Sequence, residues 1–442
     1  TELPPESEKE IRPADELEKD AKSRSFESWV FMGLVLTFQT FMLVIYSLWI
    51  TYEEEEIELE IYPYFRDVNI MIFFGFGFLM SFLRRYGYSA IGYTLLFSAI
   101  VVEWSVLLEL FFIEVELDEE DKFSPRRGIS IVNLLHGLFA AGAVMISFGA
   151  VLGKVTPTQL VLLAIIEPAF FWLNVYIGSV QLQAFDIGGG MYIHTFGAYF
   201  GLTVTWFLTS KDSHSHPDNC SCYSSDIFSL AGTLLLWLLW PSFNAAEAVG
   251  IEQSHVLVNT FLSLVGSTVS TFVVSRLVNS KRFDPVHIQN STLAGGVIMG
   301  TAGHLKLFPA TAIGCGILIG AISVLGYKWL TPAMSKYLKI QDVCGVHNLH
   351  GIPGFLSGLV AVFAAIDLDS PTFARGGDQP WYNLAELFVT IGFAVVGGAI
   401  CGAVMLGARY LHRMLPEDNF NDRSFWENPS DYNNVVNGPR AD

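Results

Sequence analysis

The sequence predicts an all-α polytopic membrane protein of about twelve transmembrane helices, ten of them in two inverted five-helix repeats between a flanking first and last helix. Three observations carry this. Hydrophobic residues make up 52% of the 442 and charged residues only 15%, outside the range of soluble domains. The apolar residues gather into twelve runs on the scale of a bilayer, separated by polar turns. One motif also occurs twice: Asp186 precedes His194 by eight residues, Asp342 precedes His350 by eight, and glycines follow each histidine at helical spacing (Gly197 and Gly201; Gly354 and Gly358).

Residues 1–28 are read as an acidic cytoplasmic tail, and residues 1–25, rich in Glu, Asp, Lys and Pro with no apolar core or cleavage pattern, are expected to be disordered and to hold no signal peptide. The first span is read at 29–50. Runs at 68–83, 89–113, 130–152, 158–182 and 187–208 make the first five-helix unit, 68–208. The polar turn 211–226 divides it from runs at 227–243, 255–278, 290–304, 307–331 and 348–366, the second unit, 227–366. An odd number of spans per unit forces the two units into opposite topology. The last span is read at 383–411, followed by a polar cytoplasmic tail, 412–442, in which Phe425 and Trp426 are available for docking.

Orientation follows from the short loops. Arg84, Arg85, Lys154, Lys211, Lys281, Arg282, Lys336, Lys339, Arg409 and Arg413 fall on one side, which the charge rule makes cytoplasmic. The opposite loops are acidic: Glu53 to Glu56 with Glu58 and Glu60, Asp118 to Asp121, then Asp367, Asp369 and Asp378. Such a field concentrates cations at the mouth, although a merely solvated face reads the same way. The net charge of −18 argues against nucleic-acid binding. Five cysteines form no disulfide or zinc framework and are expected as free thiols. The glycosylation sequons at Asn219 and Asn290 fall on the cytoplasmic side and are expected to stay unused.

If each aspartate marks a helix entry, eight residues at about 1.5 Å rise carry each histidine about 12 Å into a core about 30 Å thick. Helices entering from opposite faces then bring the rings together at the repeat interface. An ionisable side chain at that depth marks a pathway unless it is a core histidine bonded to backbone carbonyls. The duplicated spacing favours the pathway.

Five stretches carry a family resemblance: 148–155 (FGAVLGKV), 194–202 (HTFGAYFGL), 232–244 (GTLLLWLLWPSFN), 284–296 (DPVHIQNSTLAGG) and 347–354 (HNLHGIPG). Together they closely resemble the Rh glycoproteins, the animal branch of the ammonium transporter family, over about residues 29–430. The resemblance implies a homotrimer in the plasma membrane, both termini cytoplasmic, each subunit with its own narrow apolar pore. It puts a twin-histidine pair, His194 and His350, at the pore centre, and two stacked phenylalanines, Phe139 and Phe243, at the outer mouth. Asp186 matches the family aspartate near that mouth. Its expected larger role is capping a helix through the amides of Ile187 and the glycines after it, with Asp342 doing the same inside.

The chain also departs from the family. His136 and His347 lie near the proposed pore as proton-sharing sites or surface-facing bystanders, the Trp and Ser of the bacterial external site are not recognisable, and Glu247 falls one helical turn past Phe243 as a recruiting acid or a solvated helix end. The implied substrate is ammonia or ammonium, with methylamine as an analogue and the lipid bilayer as surroundings. Carbon dioxide or another neutral gas, and a non-conducting scaffold, are the alternatives. No nucleophile with a base, zinc motif or paired catalytic carboxylates appears in the spans, so neither an enzyme nor a cofactor is implied.

Overall fold

The computed structural model describes residues 14–53, 59–114, 127–368, 373–409, 414, 418–430 and 432. The acidic stretches 54–58 and 118–121, and Asp369, lie outside the described residues. The chain forms α1 (Ala14–Trp49), α2 (Tyr62–Phe82), α3 (Gly87–Ile113), α4 (Ile131–Val151), α5 (Pro157–Leu182) and α6 (190–208). It continues with α7 (Tyr223–Ala245), α8 (Gly250–Val278), α9 (Pro285–Ser291 and Ala294–Ile298), α10 (Pro309–Leu338), α11 (His347–Leu368) and α12 (Gly376–Ala408). Ten of these are long and apolar enough to cross a membrane; α6 and the broken α9 complete the set. One short parallel strand pair, β1 (Ile50–Tyr52) with β2 (Arg127–Ile129), lies among the described residues.

Helix starts follow local chemistry. Ser130 and Asn133 form a reciprocal cap on α4, Thr156 and Gln159 one on α5, and Asp284 caps α9 ahead of Pro285. Contacts between ends define two faces. On the terminal face, Arg24 of α1 meets Asp418 at 2.9 Å and Arg84, just after α2, meets Asp218 at 2.7 Å. On the distal face, Arg375 donates to the carbonyls of Gln181 and Leu182, tying the end of α5 to the approach to α12. Alternating between these faces, α2 to α6 and α7 to α11 run in opposite senses, and α6 enters from the distal face while α11 enters from the terminal face.

Two expectations need correction. Residues 14–25 are not disordered but belong to α1, whose first turns are pinned by Arg24 on Asp418 and by buried Glu27, which accepts from Thr158 N (3.1 Å) and Oγ1 (2.9 Å) at the start of α5. The run 290–304 is not one helix. Carbonyls along 291–305 are taken by side chains of α7 and α8, namely Ser267 on Ser291, Ser263 on Gly295, Asn244 on Gly296, and Asn259 on Gly303 and Leu305. A broken helix is tolerated in lipid only when its freed backbone groups are satisfied in this way. Asn290 is buried in that segment and bonds to Val286 O, which leaves its sequon no room for a glycan.

The end of the chain, left open to docking by the sequence, docks on its own helices. Phe420 is fully buried at φ +56 and donates its N–H to the carbonyl of Gly153, itself at φ +73. A Cβ at Gly153 would clash with the Phe420 ring. Asp422 accepts from the first amides of α3, Tyr88 N and Ser89 N, both at 2.9 Å, and Trp426 Nε1 donates to Ser89 Oγ at 2.9 Å. Asp422→Ala therefore leaves two helix-start amides unpaired at a cost of about 1 kcal/mol. A lowered thermal unfolding midpoint in detergent is expected, and an unchanged midpoint contradicts the cap.

Candidate functional site

The two histidine helices begin alike. Asp186 Oδ2 accepts from Met191 N (2.8 Å) and Tyr192 N (2.7 Å); Asp342 accepts from Val346 N and His347 N, both at 2.9 Å. The Asp186 cap thus reaches five and six residues ahead, rather than to Ile187 and the next glycines, and the Asp342 cap four and five, because the chain first turns through a left-handed glycine. Gly189 (φ +68) and Gly345 (φ +72) each stand three residues after the aspartate. Both helices then open with a π-helical stretch, Gly190–Thr195 and His347–Gly351, and each contains its histidine.

These entries make the helices cross closely. A Cβ at Gly354 would lie 2.5 Å from Thr195 Oγ1 and 2.6 Å from the carbonyl of Gly190, so only glycine permits the approach of α11 to α6. At the crossing, His194 Nδ1 lies 3.2 Å from His350 Nδ1, with ring planes 17° apart and both residues buried. A 3.2 Å contact between these nitrogens takes one N–H donor and one bare acceptor. Among the described residues His194 Nε2 has no hydrogen-bond partner. Aromatic faces hold the rings: Trp240 lies 5.6 Å from His194, and Phe76 lies 6.3 Å from His350.

On the distal side Phe243 lies 5.9 Å from His194 and 5.0 Å from Phe139. The two phenylalanines are inclined at 72°, edge to face rather than stacked, the arrangement the ring quadrupole prefers. Beyond them is a cavity of about 440 Å³ whose lining includes Glu109, His136, Trp172, Asp186, Glu247 and His304. Asp186 Oδ1 accepts from Thr301 Oγ1 at 2.6 Å. Burial pushes Asp186 up to about 6 against these hydrogen bonds. On the terminal side of His350, a cavity of about 20 Å³ is walled by Phe76, Leu79, Met145, Ile146, Val346 and Leu349 among others, enough for about one water-sized molecule.

His136 and His347, left between two roles by the sequence, are both internal. His136 sits between Glu109 Oε1 (2.5 Å from Nδ1) and Glu247 Oε1 (3.2 Å from Nε2). His347 packs edge-on to Tyr199, and its buried Nδ1 has no hydrogen-bond partner among the described residues. Sequence reasoning missed Glu109, Trp172 and His304. An acid inside the apolar run 89–113 was the available signal for Glu109; nothing local marks the others.

Lys154 was read as a loop charge and is instead buried at the terminal entry, donating to Thr205 Oγ1 and to the carbonyl of Gln341 at 2.5 Å. Burial, opposed by Asp342, lowers it from 10.5 to about 7. Between those values the unfolded chain holds the extra proton, so stability rises with pH, by up to about 1.4 kcal/mol per unit. Lys154→Met is expected to flatten the rise of the unfolding midpoint between about pH 7 and pH 9; an unchanged slope contradicts the burial of a titrating amine.

With this geometry in hand, comparison with known proteins is direct. The model of the Ammonium Transporter Family matches residues 28–415. The chain is 46% identical to Rhesus-like glycoprotein B of Dictyostelium discoideum, over 93% of this chain and 75% of that protein. It is 42% identical to ammonium transporter Rh type B of Mus musculus, over 86% of this chain and 85% of that one. Among solved structures, Nitrosomonas europaea Rh50 superposes with a TM-score of 0.73 at 33% identity, over 84% of this chain and 93% of that one. Alike in matched length, identity and helical architecture, the chain belongs to the Ammonium Transporter Family.

Proposed function

We propose that the chain is a membrane channel for ammonia and ammonium, in which ammonium loses a proton near the distal mouth and neutral ammonia passes an apolar conduit between His194 and His350. The observation that carries this reading is the direct contact of two buried imidazoles between a large distal cavity and a small terminal one. Its relatives include proteins described as ammonium transporters.

A bare ammonium ion pays a large desolvation cost in such a conduit, whereas ammonia gives up only a few hydrogen bonds. Two neutral rings sharing one N–H between their Nδ1 atoms leave one Nε2 as acceptor and the other as donor. Ammonia both donates and accepts, so it can be handed between them without meeting a fixed charge. A carboxylate there would retain the ion, and leucine would leave the substrate unpaired. Phe139 and Phe243 exclude water at the distal entry, and Asp186 and Asp342 hold the two helix starts in place.

The terminal face, with Arg24, Arg84, Arg85, Lys154 and Arg409, is assigned to the cytoplasm of a plasma-membrane protein, and the acid-lined distal face to the exterior. Three copies standing side by side, each with its own conduit, follow the family resemblance.

His194→Ala and His350→Ala remove only the ring contact, so both proteins are expected to fold and reach the membrane. Ammonia flux into proteoliposomes, or its selectivity over methylamine, is expected to change at least about tenfold, the scale of one or two lost buried hydrogen bonds. Wild-type flux and selectivity in both variants sink the assignment.

A further inference from the structure

The contact at His136 has a proton count built into it. Carboxylates only accept, and each imidazole nitrogen faces a carboxylate oxygen, Nδ1 at Glu109 (2.5 Å) and Nε2 at Glu247 (3.2 Å). Satisfying both contacts requires two protons: either an imidazolium between two carboxylates, or a neutral ring with one carboxyl protonated. Both arrangements carry a net charge of −1.

The surroundings are two-sided. Glu109 and His136 line the distal cavity, and among the described residues the buried Glu109 Oε2 has no hydrogen-bond partner. His136 and Glu247 also line a second cavity, of about 570 Å³, bounded by Glu60, Tyr64, Val132 and Val249. His136 and Glu247 thus border both spaces and Glu109 the distal one, so the second cavity opens at the Glu247 end of the triad. The other titratable groups of the two cavities are Asp186, Tyr192, Glu252 and His304 on one side and Glu60 and Tyr64 on the other.

We propose that Glu109, His136 and Glu247 form a proton-release relay that takes the proton from ammonium in the distal cavity and returns it to solvent through the second one. The relay rests on the ammonium reading above and gives its deprotonation step a place. An N–H bond of ammonium breaks as an O–H bond forms at Glu109 Oε2. The proton shared between Glu109 Oε1 and Nδ1 moves onto Nδ1, and the proton on Nε2 passes to Glu247 and on to water. Ammonia stays behind uncharged, the triad again holds two protons and a charge of −1, and the ring turns over so that its remaining N–H faces Glu247 and its bare nitrogen faces the protonated Glu109. Product and proton leave by different routes, so the proton is not carried along the conduit.

The test is the flux of full-length protein in proteoliposomes with a trapped pH dye, with the distal side held at about pH 6, where ammonium dominates, and at about pH 8.5, where ammonia is far more abundant. For Glu109→Gln and His136→Asn, the ratio of low-pH to high-pH flux is expected to fall about a hundredfold below wild type, the low end of a lost proton-transfer group. Reading a ratio normalises for the amount of folded protein. Val249→Trp, at an exposed residue on the second cavity, is expected to lower the same ratio by blocking the exit. An unchanged ratio in Glu109→Gln and His136→Asn overturns the relay, and an unchanged ratio in Val249→Trp overturns the exit route. Absence of ammonia flux in wild type at both pH values instead removes the channel reading, and the relay with it.

Discussion

Everything in this molecule is arranged to let two imidazoles touch in a place where polar groups are expensive. The 3.2 Å contact between His194 and His350 lies where two helices of opposite direction cross, and neither helix could supply it alone. Each aspartate entry sets one helix start, each left-handed glycine redirects the chain, and Gly354 allows the backbones to approach. The contact is the shared product of a duplicated motif read from opposite faces.

The same constraint explains the polar chemistry outside the crossing. In lipid every backbone group needs an internal partner, so the broken α9 survives because Ser267, Ser263, Asn244 and Asn259 take its carbonyls. The chain end obeys the same rule: Asp422 supplies acceptors to the start of α3, and Glu27 to the start of α5. Side chains that look like solvated loop charges in the sequence thus become caps for helices far away in the chain.

Much of the fold was legible because hydrophobic run length and loop charge report directly on membrane crossing. The inversion of the two halves followed from span parity, and the meeting of His194 with His350 from helices that enter from opposite faces. What escaped depended on partners distant in sequence. Nothing near Glu27 says that Thr158 will meet it, and nothing near Lys154 says that Thr205 and Gln341 will bury its amine. The edge-to-face pose of Phe139 and Phe243 depends on how α4 and α7, one from each half, meet. Glu109 was readable in principle, as an acid within an apolar run, but its importance appears only when His136 and Glu247 close around it.

The central claim is that the two rings form one neutral, singly bridged pair. The most direct measurement is nitrogen-15 NMR of the two histidines, labelled and assigned in bilayer-reconstituted protein near neutral pH. The account predicts one protonated and one bare Nδ1 joined by a hydrogen bond, with one proton in total on each ring. Two imidazolium signals, or two rings that both carry their only proton on Nε2, would contradict it.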